Sequence, residues 1–244
     1  MMESYNEFAY VYDRLIDRDY AAAADRIEGI FEKYGVKPEL VLDLACGTGT
    51  LTGILAERGY DMIGLDLSED MLSVAAAKNP GIRFLHQDMT EFELYGTVDA
   101  IVCTLDAVNY ITDKRKLKKM FRLVNNYLNP GGLFIFDINT RYKLETVLGN
   151  NTFVYDEDGI FYVWENYFDK KSDISRQFLT FFSRVGREYK RFDEQHVQRA
   201  YNADEIRGLL AFSGLSLCEI SDCISGKKPR KNAEKIIFVS KKIC

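Results

Sequence analysis

The chain has 244 residues, 47% hydrophobic and 13% aromatic, with only 4 prolines. That composition excludes a disordered chain and allows one sizeable core with an appendage. A formal net charge of -5 and a pI near 5.3 disfavour a protein built to grip a phosphate backbone.

Five cysteines at 46, 103, 218, 223 and 244 form no C-x-x-C pair, and His86 and His196 stand alone. These features fit reduced thiols in a cytosol and no metal site. The first ten residues, "MMESYNEFAY", lack a basic region followed by an apolar one, and no run approaches a membrane span. The expectation is a cytoplasmic protein without membrane contact. The basic cluster "GKKPRK" at Gly226–Lys231 reads as a solvated loop.

In chain order, "FAYVYDRL" and "DYAAAADRIEGIFEKYG" predict two N-terminal helices. Five short apolar runs follow, at Leu40–Ala45, Asp61–Leu67, Ile82–Asp88, Val98–Leu105 and Gly132–Ile138. Each is nearly continuous in apolar character, as strands covered on both faces are. Helix-like segments separate them. One spans Leu51–Arg58 and ends at Gly59; Ser68 caps the next, with Glu69 and Asp70 in its first turn. Thr112 precedes a third, "DKRKLKKMFRLVNNYL", with Leu117, Phe121, Val124 and Leu128 on one face and "NPGG" at Asn129–Gly132 as its stop. Strand–helix alternation of this kind makes a parallel sheet with right-handed crossovers.

Beyond about Asn150 the pattern becomes aromatic and β-branched, with polar breaks at Asp156–Gly159, Asp169–Asp173 and Gly186. It predicts three or four antiparallel strands. "NADEIRGLLAFSG" is then a helix, with Asn202 and Glu205 spaced as a capping box and Gly214 as its end. "LSLCEISDCI" and "EKIIFVSKKI" close the chain as an antiparallel hairpin on the edge of the parallel sheet.

The stretch "DLACGTGT" ends the first strand, and Asp66 ends the second, nineteen positions beyond Gly47. Ligands bind outside the carboxyl ends of such strands, where strand order reverses. Glycine allows a tight turn and close approach of backbone to a ligand. A carboxylate on the neighbouring strand tip suits two ribose hydroxyls. The pair predicts a nucleoside-bearing cofactor. It is not a dinucleotide fingerprint, because Thr52 stands where the third glycine belongs, and it lacks the Gly-Lys-Ser/Thr ending of a P-loop.

Val41–Thr50 resembles motif I of the class I S-adenosylmethionine-dependent methyltransferases, with Ala45 in the first glycine slot. The resemblance continues through "GLDLSEDML", "FLHQDMTEF", "DAIVCTLDAVNYI" and "LNPGGLFIFDI", and covers roughly Tyr34 to Asn139. It implies an α/β, Rossmann-like doubly wound, mostly parallel seven-stranded sheet with an antiparallel last strand. A small inserted antiparallel β-sheet would be added to it. The cofactor domain would comprise residues 1–149 with 200–244, residues 1–35 being a helical lid, and residues 150–199 an inserted cap on the substrate side.

The resemblance also assigns roles. S-adenosylmethionine would be the cofactor and S-adenosylhomocysteine the product. Ala45, Cys46 and Gly47 would lie against the methionine portion, and Asp43 would order the loop and the ligand's amino group. Asp66 would hold the ribose hydroxyls, and Leu67 would cover an adenine face. Asp88 would receive the adenine amino group with Met89 beside it, and Leu105 would offer its carbonyl to the methionine ammonium. Met71 reads either as core or as cofactor wall. Tyr5, Phe8 and Tyr12, at near-helical spacing, resemble a closing lid, with Tyr12 reaching the cofactor; the alternative is an apolar face packed on the sheet.

Methyl transfer is direct displacement at an activated carbon, so alignment in a dry pocket carries most of the work and no catalytic dyad is required. Asp106, Asn109 and Tyr110 follow the fourth strand toward the reacting end, with Asp106 and Tyr110 taken as positioning residues. The alternative for Asp106 is a helix N-terminal carboxylate. His196, Tyr167 and Arg199 lie in the insert, where a lone histidine is more often structural. The acceptor expected is a small-molecule nitrogen or oxygen nucleophile, handled by a monomer or homodimer without nucleic acid. The alternatives are a tRNA- or protein-modifying methyltransferase and a non-catalytic cofactor-binding protein.

Overall fold

The computed structural model describes residue 9, residues 19–157 and residues 159–243. Apart from Ala9, the first predicted helix lies outside the described residues, as do Tyr5, Phe8 and Tyr12. The second is α1 (Tyr20–Lys33), capped by Asp19, whose carboxylate accepts from the Ala22 amide.

Seven strands form one sheet: β1 (Leu40–Leu44), β2 (Asp61–Asp66), β3 (Arg83–His86), β4 (Val98–Cys103), β5 (Leu128–Asn139), β10 (Leu215–Asp222) and β11 (Lys235–Lys242). Their spatial order is β10-β11-β5-β4-β1-β2-β3. β1 pairs in parallel with both β2 and β4, so the strand order reverses at β1. β11 runs antiparallel to both neighbours, β5 and β10. The closing hairpin therefore joins the sheet through β11, and β10 is the edge. This is the mixed α/β sheet expected, with an antiparallel last strand.

Helices α2 (Thr50–Glu57), α3 (Glu69–Lys78) and α4 (Lys114–Tyr127) follow β1, β2 and β4. Two apolar layers form, one on each sheet face. Leu42, Leu44, Ile101, Phe134 and Phe136 belong to one, with Leu117, Phe121 and Val124 of α4. Val41, Ala100, Val102 and Ile135 belong to the other, with Ile27 of α1 and Leu55 of α2. Burial on both faces is why these strands read as unbroken apolar runs.

Two local expectations are corrected. α4 begins at Lys114, one residue later than the expected Asp113, which is instead its cap: the Asp113 carboxylate accepts from the Arg115 amide. α4 ends at Tyr127, just before "NPGG" as expected, but β5 begins at Leu128 rather than Gly132 and takes the segment in, with Gly131 at φ 80.

A second sheet of four antiparallel strands, β6 (Thr152–Glu157), β7 (Ile160–Asp169), β8 (Ile174–Val185) and β9 (Glu188–Arg199), lies between β5 and α5 (Ala203–Phe212) in the chain. One of its faces is buried, and Ile160, Phe181 and Phe192 on it pack with Met71 of α3. α5 carries the capping box, Asn202 accepting from the Glu205 amide while the Glu205 carboxylate accepts from the Asn202 amide.

Candidate active site

A cavity of about 770 Å³ opens at the carboxyl ends of β1, β2 and β4, within the usual size range of small-ligand sites. Its floor is the β1–α2 loop. Ala45 (φ 63), Gly47 (φ 55) and Gly49 (φ 68) take left-handed backbone there. That conformation costs a non-glycine residue roughly 1–2 kcal/mol, so Ala45 holds strain that the usual glycine would not. Each glycine has its own reason. A Cβ on Gly49 would stand 2.9 Å from the Ala75 Cβ and 3.1 Å from the Phe84 ring, so Gly49 lets α2 begin against α3 and β3. A Cβ on Gly47 would meet nothing within 4 Å, because that side of the loop faces the cavity.

Asp66 ties this loop to the next helix. Its Oδ2 accepts from the Gly47 amide at 2.8 Å and its Oδ1 from the Ser68 amide at 2.8 Å. Burial pushes the carboxyl's pKa upward, and the amides of Ser68 and Gly47 work against that rise. Asp43 lies beneath the loop, 2% exposed, and accepts from the Thr52 hydroxyl at 2.6 Å. Desolvation raises its pKa to about 7, Thr52 opposing and the Asp66 charge adding to it. Thr52, which breaks the dinucleotide pattern, thus serves as the partner of Asp43. Burial also pushes the Cys46 thiol upward and keeps it neutral.

The rest of the wall comes from neighbouring strand tips. Leu67 is 65% exposed on the rim, and its carbonyl is 2.8 Å from His86 Nε2, joining β2 to β3. Asp88 accepts from the Thr90 amide at 2.7 Å and lines the cavity with Gln87 and Met89. Met71 lines the cavity and packs on the inserted sheet. The described residues among the expected cofactor contacts, Asp43, Ala45, Cys46, Gly47, Asp66, Leu67, Met71, Asp88, Met89 and Leu105, all border this one space.

The reacting end is arranged differently from the sequence expectation. Leu105 (φ 60) and Asp106 (φ 56) form a strained pair after β4. Leu105 lines the cavity but Asp106 does not. The Asp106 carboxylate turns away, accepting from Lys235 Nζ at 2.6 Å and Gln198 Nε2 at 2.7 Å, while its amide donates to Asp137 at 2.5 Å. Lys235 and Asp106 are each 11% exposed at the side chain, and Asp137 lies 3.7 Å from the same ammonium. Asn109 is likewise structural, donating to the carbonyls of Asn139 and Arg199. Neither Tyr167, 51% exposed, nor Arg199 lines the cavity.

Tyr110 does line it, its hydroxyl 3.2 Å from His196 Nδ1, with the two rings edge to face. Burial lowers the pKa of His196, against a smaller opposing pull from the Asp106 charge. Its imidazole is therefore neutral near pH 7. Sequence reasoning set His196 aside, since alternation shows which residues share a face but not what that face meets. It also passed over Tyr20 and Gln87; only Gln87, beside Asp88 in the same strand-tip motif, carried a signal.

A family profile described as a methyltransferase domain matches residues 41–132. The crystal structure of an S-adenosylmethionine-dependent methyltransferase from Clostridium acetobutylicum ATCC 824 is 43% identical. It superposes with a TM-score of 0.91, over 98% of this chain and 99% of that one. The chain belongs to the S-adenosylmethionine-dependent methyltransferases. A dTDP-3-amino-3,4,6-trideoxy-alpha-D-glucopyranose N,N-dimethyltransferase of Streptomyces venezuelae is 31% identical over 134 residues, 54% of this chain and 56% of that protein. The sugar N-methyltransferase KedS8 from Streptoalloteichus sp. ATCC 53650 shares the fold, with a TM-score of 0.80 at 23% identity over 96% and 92% of the two chains.

S-adenosylmethionine is the cofactor of this methyltransferase. The cavity fits it on its own terms, with an open cradle at Gly47 and two carboxylates, Asp43 and Asp66, on adjacent strands.

Proposed function

We propose that this methyltransferase acts on a small-molecule nitrogen or oxygen nucleophile, admitted between Tyr110, His196 and the inserted sheet. The observation that carries this reading is the composition of the wall. Its described residues include Asp43, Asp66, Glu69, Asp70 and Asp88 but no lysine or arginine. Such a wall repels phosphate and carboxylate groups and so argues against a nucleic acid acceptor. The sugar N-methyltransferases among the relatives favour the same substrate class.

In this reading Asp66 holds the ribose hydroxyls and Leu67 covers the adenine, whose amino group Asp88 receives. Ala45, Cys46 and Gly47 carry the methionine portion, with Asp43 beneath them and the Leu105 carbonyl opposite. The cofactor supplies a methyl group on a sulfonium, already activated. The protein's part is to hold the acceptor in line and exclude water, worth about 7–11 kcal/mol when geometry is good. Tyr110 and the neutral His196 border the entry and orient the acceptor. Asp106 acts at one remove, by holding the bend that carries Leu105.

Tritiated methyl transfer from labelled cofactor into a fractionated metabolite extract tests the reading, with tRNA and protein fractions alongside. Label in small molecules is the expected result. Label confined to tRNA or protein overturns it.

A further inference from the structure

Tyr110 and His196 stand 86 positions apart in the chain, yet the tyrosine hydroxyl meets the imidazole Nδ1. Three ties hold them together. Gln198 donates to Asp106, Asn109 donates to the Arg199 carbonyl, and the Tyr201 hydroxyl donates to the Ile111 carbonyl. Each joins the turn after β4 to β9 or to the residues just beyond it. β9 is the edge strand of the inserted sheet, and the pair closes the β4 end of the cavity with Thr104, Leu105 and Gln195.

Among the described residues, His196 is the one group at that end able to take up a proton near neutral pH. The carboxylates of the wall belong to β1, β2, the start of α3 and the segment after β3. The other histidine, His86, ends β3 and is engaged with the Leu67 carbonyl. A phenol that donates to an imidazole can still accept at its oxygen, so the N–H or O–H of a bound molecule can pass its proton through it. We propose that Tyr110 and His196 form a relay that takes the proton released by the methyl acceptor, Tyr110 receiving it and His196 Nδ1 storing it. This inference rests on the small-molecule reading above and supplies the base for it. As the acceptor's electron pair forms the bond to the methyl carbon, the carbon–sulfur pair stays on sulfur. The acceptor's proton passes to the Tyr110 oxygen, and the Tyr110 proton passes to His196 Nδ1. The positive charge lost at sulfur reappears on the imidazole, and water takes the proton once the products leave. Burial lowers the His196 pKa against the pull of Asp106, so the imidazole is uncharged and ready at pH 7. β8 sets Gln177, which does not titrate, opposite His196. Glu194, two positions away on β9, and Asp43 in the cavity wall have pKa values raised to about 7 by burial.

The test uses the full-length protein. His86 and His196 are its two histidines, so NMR of the histidine nitrogens without ligand separates them, with H196N giving the assignment. His196 should carry its proton on Nε2 and titrate below the ordinary value of 6.5. A proton on Nδ1 of the neutral ring overturns the relay. Tritiated methyl transfer into the small molecules of a fractionated metabolite extract is followed against pH, and labelling should fall as pH drops through the His196 pKa. H196N keeps an acceptor for the Tyr110 hydroxyl but no base, so it should lower labelling by about a hundredfold and remove that limb of the profile. Asp43 and Glu194 are unchanged in H196N, so a limb that survives in it belongs to them and overturns the relay. Y110F should lose labelling to a similar degree, and both variants should bind S-adenosylhomocysteine as the parent does. If a variant does not bind, the tautomer in the parent decides. H196N labelling like the parent overturns the relay and leaves the small-molecule reading intact. Label confined to tRNA or protein, or no label despite S-adenosylhomocysteine binding, overturns that reading and the relay with it.

Discussion

Asp66 has two tasks in one carboxylate. Through Gly47 and Ser68 it fixes the loop and the start of α3, and it also lines the cavity. Asp66→Ala should therefore weaken S-adenosylhomocysteine binding by about 2–4 kcal/mol, read by calorimetry. An unchanged dissociation constant would show that the ligand does not sit on β2. Asp43 makes a pH prediction. Its folded-state pKa, about 7, lies above the ordinary carboxylate value, so the folded chain keeps a proton that the unfolded chain gives up. Stability from this group is fully present below about pH 4 and is lost as pH rises toward 7. Asp43→Asn should flatten the fall in melting temperature between those limits, and a slope equal to that of the parent would contradict the assignment. That both aspartates border one cavity at strand tips was legible in the sequence, because strand–glycine loop–helix–strand–carboxylate is a local pattern. That Thr52 completes Asp43 was not, since the pairing needs the helix geometry that brings position 52 over position 43.

At the scale of elements, the bend after β4 is held from far away. Lys235 on β11 reaches Asp106, 129 positions earlier, and lies near Asp137 on β5. Lys235→Met would leave two buried carboxylates without their cation, so it should destabilise by about 3–5 kcal/mol, measured by denaturant unfolding. Adding Asp106→Asn should recover part of that loss, and simple additivity of the two changes would show that they are not coupled. This cluster explains why Asp106 reads from sequence as a residue of the reacting end. It follows the fourth strand as such residues do, but the partner that turns it inward is invisible without the fold. The inserted strands were legible as strands from their aromatic alternation. Which of their residues met the cavity was not, so His196 was out of reach of periodicity alone. The start of α4 shifted by one residue because Thr112 and Asp113 both carry capping side chains, and only the backbone decides between them.

At the scale of the molecule, the cavity is assembled from the tips of four strands, β1 to β4, and the loops that follow them, so ligand binding there is linked to folding. S-adenosylhomocysteine at ~100 times its dissociation constant should add about 2.7 kcal/mol of stability. In a chain of this size that is roughly 5–10 °C in melting temperature by scanning fluorimetry. Asp66→Ala should abolish most of the shift at the same ligand concentration. A shift of equal size in parent and variant would mean the ligand stabilises some other part of the protein. The general plan of the sheet followed from strand–helix alternation, since covered parallel strands must read as apolar runs. The place of β11 did not follow, because a hairpin on a sheet edge can dock through either of its strands.

That choice of strand has a consequence during synthesis. β5 finds its antiparallel neighbour only in residues 235–242, about a hundred positions downstream. Until the ribosome has released those residues, the nascent chain presents β5 as a long bare border of Leu133, Phe134, Ile135 and Phe136, open to pairing with strangers. A version cut short before position 235 should therefore aggregate where the whole chain stays dispersed, a difference that light scattering would read.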